Sequence, residues 1–222
     1  MQVVSVMVAL IIAYVLGSVP FGVVIVRLTT GKDLRGQHSG RTGGTNAMRA
    51  AGTLAGVGTA LADALKGACA IWLARWLSAG TPWVEVLAGL AVVLGHNYSI
   101  FLIERRDGII HLHGGAGGAP TVGAALGMWL PAPLIIVPIC LFVLLGVGYA
   151  SVATLVTGVV ITGAFVWASG ANYIPREFIA FGPLVEILLV VALRPNIRRL
   201  IGGTERVVGW RARRQREPSE PT

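Results

Sequence analysis

The densest run of chemically capable side chains is Ser39-Gly40-Arg41-Thr42-Gly43-Gly44-Thr45-Asn46-Ala47-Met48-Arg49. Its glycines let backbone N–H groups converge on an anion, and its hydroxyls and the Asn46 amide can complete the anion's hydrogen-bond shell. Arg49 can grip phosphate oxygens with two parallel N–H groups. A helix starting near Thr45 or Asn46 would add the partial positive charge of its N-terminus. The plain alternative is a flexible polar loop tying two helices together, and composition alone supports both readings.

Three further clusters follow. Gly95-His96-Asn97-Tyr98-Ser99 lies near the end of a charge-free apolar stretch, where an imidazole is either a satisfied helix-end residue or a functional group. Gly114-Gly115-Ala116-Gly117-Gly118 can approach a phosphate closely or act as a hinge. Gly148-Tyr149-Ala150-Ser151 is a small-residue corner leading into another apolar stretch. Asp63 and Lys66, three residues apart in an apolar segment, share one helix face and read as a mutually neutralising structural pair. Glu186 is an isolated acid in a late apolar segment. Cys69 and Cys140 have no metal-ligand spacing and read as small buried side chains, so neither a disulfide nor a zinc site is expected.

The elements that must position these groups are membrane helices. Hydrophobic residues form 55% of the 222-residue chain and charged residues 13%, about half the share of a soluble domain, which excludes a water-coated globule. The net charge of +8 would suggest nucleic acid in a soluble protein, but here the arginines first set topology, and no nucleic-acid partner is expected. Residues 1–26 carry no charge, and no positive region precedes them, so they read as a span rather than a signal peptide. Further spans are expected at 54–77, 86–103, 118–130, 134–147, 152–169 and 178–193, and the stretch 108–175 has no Asp, Glu, Lys or Arg at all. Dividing 118–147 at Pro131 gives about seven spans in an all-α, polytopic integral membrane protein. Fifteen of the eighteen Lys and Arg residues then fall on one side, which the positive-inside rule makes cytoplasmic, with the N-terminus outside and the C-terminus inside. Residues 1–196 read as one transmembrane domain and 197–222 as a polar, arginine-rich cytoplasmic tail.

Several of these segments resemble one family. Leu16-Gly17-Ser18-Val19-Pro20-Phe21-Gly22 followed by Ser39-Gly40-x-x-Gly43-x-Thr45-Asn46-x-x-Arg49 is similar to the first signature of the bacterial acyl-phosphate-dependent glycerol-3-phosphate acyltransferases, the PlsY family. Asp63-x-x-Lys66-Gly67, Gly95-His96-Asn97-Tyr98-Ser99, Gly148-Tyr149-x-Ser151 and Asn196-Ile197-x-Arg199-Leu200-x-Gly202-x-Thr204-Glu205 resemble later segments in the same order. The resemblance implies transfer of a fatty acyl group from acyl phosphate to the 1-hydroxyl of glycerol 3-phosphate, giving lysophosphatidic acid and phosphate for phospholipid synthesis. It implies no cofactor and no metal, a multi-pass protein in the bacterial inner membrane, and chemistry on the cytoplasmic side. The expected catalytic residues are Ser39, Arg49 and His96. The expected substrate-binding residues are Gly43, Gly44, Thr45, Asn46, Asn97, Gly114, Gly115, Gly117, Ser151 and Asn196. Ser39 is assigned a hydrogen bond that orients substrate, not a covalent role, because no base is placed beside it by sequence.

The chain departs from the family pattern at four positions that are usually polar. Ala116 stands where a lysine is usual, Pro120 where a threonine is usual, Leu193 where a histidine is usual, and Arg41 where an asparagine is usual. Residues near 104–110 also lengthen the loop before the glycine run. Arg41, Arg105, Arg106, His111 and His113 are the residues whose chemistry could compensate. Two alternatives accompany the enzyme reading: a weakened paralogue that binds acyl or polyol phosphates, and a small anion or lipid transporter. A transporter would more naturally show internal repeats and polar groups at mid-membrane than polar clusters gathered at one face.

Overall fold

The structure is a computed structural model that describes residues 2–106 and 108–209; Met1, Asp107 and residues 210–222 of the expected tail lie outside the described residues, as do the Gln2 and Arg106 side chains. It is built of helices: α1 (Gln2–Ser18), α2 (Phe21–Thr30), α3 (Gly44–Ala51), α4 (Thr53–Leu77), α5 (Pro82–Asn97), α6 (Gly118–Met128), α7 (Ala132–Val147), α8 (Ala150–Gly170) and α9 (Phe181–Ile201). Five stretches of the described chain are long and apolar enough to cross a bilayer: Val3–Thr30, Thr53–Leu77, Pro82–Leu102, Ala150–Gly170 and Arg176–Ile201. The chain is a multi-pass α-helical membrane protein, and its exposed Leu54, Trp76, Leu134 and Phe142 are the lipid-facing counterpart of a buried core on α1, α5, α6, α8 and α9.

The expected division at Pro131 is present, because Trp129 ends α6 in extended backbone and Pro131 opens α7. The shorter apolar helices α6 and α7 are 11 and 16 residues long. Three features differ from the sequence reading. The first span is interrupted at Val19-Pro20, since proline has no N–H to continue the α1 ladder, and α2 restarts at Phe21. The expected polar loop after α5 contains an antiparallel hairpin, β1 (Ile103–Arg106) against β2 (Ile109–Leu112), so the fold is helical with one small ribbon. The last span runs to Ile201 rather than 193, carrying Asn196 and Arg199 within its final turns.

Glycine lets the helices approach closely enough to hold the site. A Cβ on Gly123 of α6 would collide with the Ala64 carbonyl oxygen of α4, and one on Gly67 of α4 would meet the Pro120 carbonyl. Small residues at such contacts allow backbones to pack directly, the usual source of cohesion between helices in lipid. This contact fixes where α6 begins, and therefore where the glycine-rich loop before it must lie.

Candidate functional site

The loops expected to do chemistry converge at one end of the bundle. Thr42 N–H donates to Gly114 O, Gly115 N–H to His96 O (2.9 Å), and Val208 N–H to Gly148 O (2.8 Å). These bonds join the loop before α3, the end of α5, the loop before α6, the corner before α8 and the segment after α9. They surround a cavity of about 360 Å³.

Three helices point their N-termini at this cavity. Gly44 and Thr45 open α3, Gly118 and Ala119 open α6, and Ala150 and Ser151 open α8, and all six line it. The first N–H groups of a helix have no partner within it, and the helix dipole makes that end positive. Arg41, Arg49, Arg199 and Arg206 line the same space. Arg49, in the last turn of α3, donates to Val207 O at 3.3 Å. Burial, and then the neighbouring Arg206, push its guanidinium below the usual arginine range, while Glu205 opposes them. The other wall is apolar, with Met48, Val57, Leu141 and Leu144. Val57 and Leu141 are 49% and 48% exposed, on the surface that faces lipid. An anion-seeking end and an apolar end thus share one cavity.

Asn46 explains why the loop holds its form. It is buried, its amide N–H groups donate to the carbonyls of Leu34, Gln37 and Arg41, and its carbonyl accepts from Ser39 N–H. One side chain therefore wraps residues 34–41 around the start of α3. Ser39 is left at the cavity edge, on a backbone turned by Gly40 at φ +70°.

His96 sits behind the glycine loop in a buried polar cluster. Lys66 Nζ lies 2.8 Å from Asp63 Oδ1 and 3.0 Å from His96 Nδ1, and donates to Val19 O at 2.8 Å. An ammonium can only donate, so Nδ1 accepts and the neutral ring carries its proton on Nε2. Among the described residues Asp63 receives no well-aligned hydrogen bond although the ion pair is at contact distance, so the attraction to Lys66 is mainly Coulombic. His96 Nε2 packs against Gly115 so tightly that a Cβ there would overlap it.

The glycerol-3-phosphate acyltransferase family model matches residues 7–203. The chain belongs to the glycerol-3-phosphate acyltransferase family. A glycerol-3-phosphate acyltransferase of a Bradyrhizobium species is 37% identical over 202 residues, covering 91% of this chain and 94% of that one. Glycerol-3-phosphate acyltransferase 2 of Moorella thermoacetica is 36% identical over 207 residues, covering 92% and 98%. Among solved structures, the glycerol 3-phosphate form of PlsY, an integral membrane glycerol 3-phosphate acyltransferase, superposes with a TM-score of 0.76 at 33% identity, covering 92% of this chain and 96% of that one. Its lysophosphatidic acid form gives 0.74 at 31% identity.

Within this family fold, Ser39, Gly43, Gly44, Thr45, Asn46, Arg49, His96, Gly117, Ser151 and Asn196 all line the 360 Å³ cavity. Gly114, Gly115 and Asn97 line a second, more polar cavity of about 440 Å³ on the other side of Arg41. Ala116 and Leu193 also line the first cavity, so these two departures from the family pattern fall inside the site. Of the five residues expected to compensate, Arg41 lines both cavities and His113 lines the second, where it pairs with Glu104 at 2.9 Å. Arg105 and His111 are exposed on the hairpin. Two site residues were not singled out from sequence. Glu205 folds back after α9 to accept from Asn196 Nδ2 (2.8 Å) and Arg199 Nε (2.9 Å), and Arg206 follows it into the cavity wall. The sequence signal for Glu205 was the C-terminal resemblance, which says nothing of a return toward the site, and Arg206 lies just beyond that segment.

Proposed function

We propose that this chain transfers a fatty acyl group from acyl phosphate to the 1-hydroxyl of glycerol 3-phosphate, at the cytoplasmic face of a bacterial inner membrane. The carrying observation is the single cavity with three helix N-termini and arginines at one end and an apolar, lipid-facing wall at the other. The acyl chain lies along Val57, Leu141 and Leu144, its phosphate among the helix N-termini, and glycerol 3-phosphate enters from the polar side. The hydroxyl oxygen attacks the acyl carbonyl carbon. The carbon–oxygen bond to phosphate breaks, and inorganic phosphate leaves with the proton of the hydroxyl. Acyl phosphate is already activated, so orientation and neutralisation of the departing charge supply much of the rate.

In this reading Arg49 binds phosphate, Ser39 orients substrate by a hydrogen bond, and Gly43, Gly44, Thr45, Gly117 and Ser151 form the backbone cradle. Asn46 shapes the loop, and Asn196 organises Glu205. His96 acts from behind residues 114–115, positioning the glycine loop that its Nε2 supports. The charge distribution supports about seven crossings with the N-terminus outside and the C-terminus inside, which sets this end of the bundle in the cytoplasm.

A weakened paralogue is the second reading, favoured by one observation: Ala116 and Leu193 present only apolar groups to the cavity. Purified full-length protein supplied with palmitoyl phosphate or palmitoyl-CoA, and with glycerol 3-phosphate or another polyol phosphate, separates the readings. Transfer from palmitoyl phosphate to glycerol 3-phosphate supports the first. Binding of both with turnover roughly a thousandfold or more below that of the Bradyrhizobium relative, a barrier higher by about 4 kcal/mol, supports the second, and preference for palmitoyl-CoA overturns both.

A further inference from the structure

Arg41 lines both cavities, together with Ser39, Asn196 and Arg199. Arg41 leaves the loop before α3 and reaches across the site. Its Nη1 donates to Gly115 O at 2.9 Å, and its Nη2 donates to Asn196 Oδ1 at 2.9 Å and to Ala192 O. One guanidinium thereby joins the glycine loop to the end of α9, beside both apolar positions 116 and 193. All three acceptors are neutral. Among the described residues no carboxylate lies within ion-pair distance of Arg41, because the nearby Glu205 is held by Arg199 and Asn196. A guanidinium has five N–H donors. Three are used here, and two have no acceptor among the described residues.

A cation in this position lacks its counter-ion. Burial and the nearby Arg199 disfavour its charge, with Glu205 opposing. A second unmet group lines the second cavity with Arg41: the Asn97 amide is buried, with neither its nitrogen nor its oxygen hydrogen-bonded among the described residues. Buried polar groups without partners carry a desolvation cost that an incoming ligand removes. An anion with several oxygens can accept from the free Arg41 N–H groups and from Asn97 Nδ2 together.

We propose that Arg41 is the phosphate-positioning residue of this enzyme, holding the phosphoryl oxygens of substrate at the junction of the glycine loop and α9. This rests on the acyl-transfer reading above. Its fixed, three-point anchoring gives the cation a defined place, as catalysis by charge stabilisation demands. The phosphate it holds belongs either to acyl phosphate, whose bridging oxygen gains charge as its bond to the acyl carbon breaks, or to glycerol 3-phosphate. The same anchoring predicts what can replace it. A lysine at 116, the next residue after the carbonyl that Arg41 grips, would bring an ammonium to the same place only when Arg41 is absent.

The test uses the purified full chain as wild type, Arg41→Asn, Arg41→Lys, Ala116→Lys, and Arg41→Asn combined with Ala116→Lys. Three quantities are read: kcat/KM for palmitoyl phosphate, kcat/KM for glycerol 3-phosphate, and stabilisation against heat by inorganic phosphate, which needs no turnover. Arg41→Asn should lower kcat/KM by about 10- to 150-fold, the range for one charge-assisted hydrogen bond, and should weaken the stabilisation by phosphate by a similar factor in phosphate concentration. The substrate whose KM rises alone identifies whose phosphate Arg41 holds. Arg41→Lys should recover part of the loss, because a point charge lacks the planar fork. Ala116→Lys should restore at least about tenfold when combined with Arg41→Asn, and should give no gain beside the native Arg41. A purely structural Arg41 predicts otherwise: lower unfolding temperature, unchanged kcat/KM in the folded fraction, unchanged response to phosphate, and no rescue by Ala116→Lys. That pattern overturns the proposal. If wild type shows no acyl transfer, the reaction assignment fails, while weakened phosphate stabilisation in Arg41→Asn still upholds Arg41 as the anion ligand.

Discussion

Removing the Lys66 ammonium tests the buried scaffold beneath the glycine loop. Lys66→Met keeps the chain length and apolar stem while deleting the charge. The Lys66 and Asp63 side chains are 3% and 1% exposed. The change removes the contact to Asp63 Oδ1 at 2.8 Å, the donor to Val19 O at 2.8 Å, and the partner of His96 Nδ1 at 3.0 Å. Asp63 is left with only His96, 3.5 Å away. Breaking one side of a buried ion pair costs about 3–5 kcal/mol, since the remaining charge stays desolvated. For a chain of this size each kcal/mol moves the midpoint by about 2–4 °C, so Tm should fall by about 6–20 °C. Combining Asp63→Asn with Lys66→Met removes both charges and should bring stability back to within about 2 kcal/mol of wild type. The assay is thermal unfolding in one detergent, followed by tryptophan fluorescence. A loss below about 1 kcal/mol for Lys66→Met, or a double variant less stable than either single one, would refute the view that this pair is a mutually compensating buried unit.

Three further outcomes are expected. Arg49→Ala should lower kcat/KM by about 10- to 150-fold while Tm changes little, because the one hydrogen bond it loses is the 3.3 Å contact to Val207 O; Arg49→Lys should recover part of the rate, and an Arg49→Ala enzyme of normal rate would remove Arg49 from the phosphate site. A reporter enzyme fused after Thr222 should be active when it requires the cytoplasm and silent when it requires the periplasm, and the reverse pattern would contradict the seven-crossing topology. Gly123→Val should destabilise the bundle and reduce acyl transfer together, because its side chain would enter the α4 backbone at Ala64 and displace the start of α6; unaltered Tm and rate would show that this contact does not set the site.

Much of this arrangement was legible in the chain. Apolar length located the helices, five stretches of which are long and apolar enough to cross a bilayer, and Pro131 divided α6 from α7 because a proline has no helical N–H to give. The run from Ser39 to Arg49 read by residue type as a candidate anion cradle, and its Gly43, Gly44 and Arg49 line the cavity. What hydropathy could not show is where side chains go once loops close. Asn46 looked like a ligand by type, yet its amide is committed to the carbonyls of Leu34, Gln37 and Arg41. Asp63 and Lys66 were correctly paired three residues apart, but their link to His96 crosses from α4 to α5 and has no local signature. Glu205 enters the site only because the chain reverses after Ile201. Arg41 was visible as an unusual residue, while its reach to Ala192 and Asn196 spans more than 150 positions of sequence. The hairpin at 103–112 escaped because its two apolar and charged strands are only four residues each, too short for a periodic signal.

The central claim is tested most directly by product stoichiometry. Purified full-length protein in lipid nanodiscs is supplied with palmitoyl phosphate and glycerol 3-phosphate, with no nucleotide or coenzyme A present, and both products are followed together. The account predicts one inorganic phosphate released for each 1-palmitoylglycerol 3-phosphate formed, at a rate that falls by about 10- to 150-fold in Arg49→Ala. Phosphate release without ester formation, or ester formation indifferent to Arg49, would contradict it.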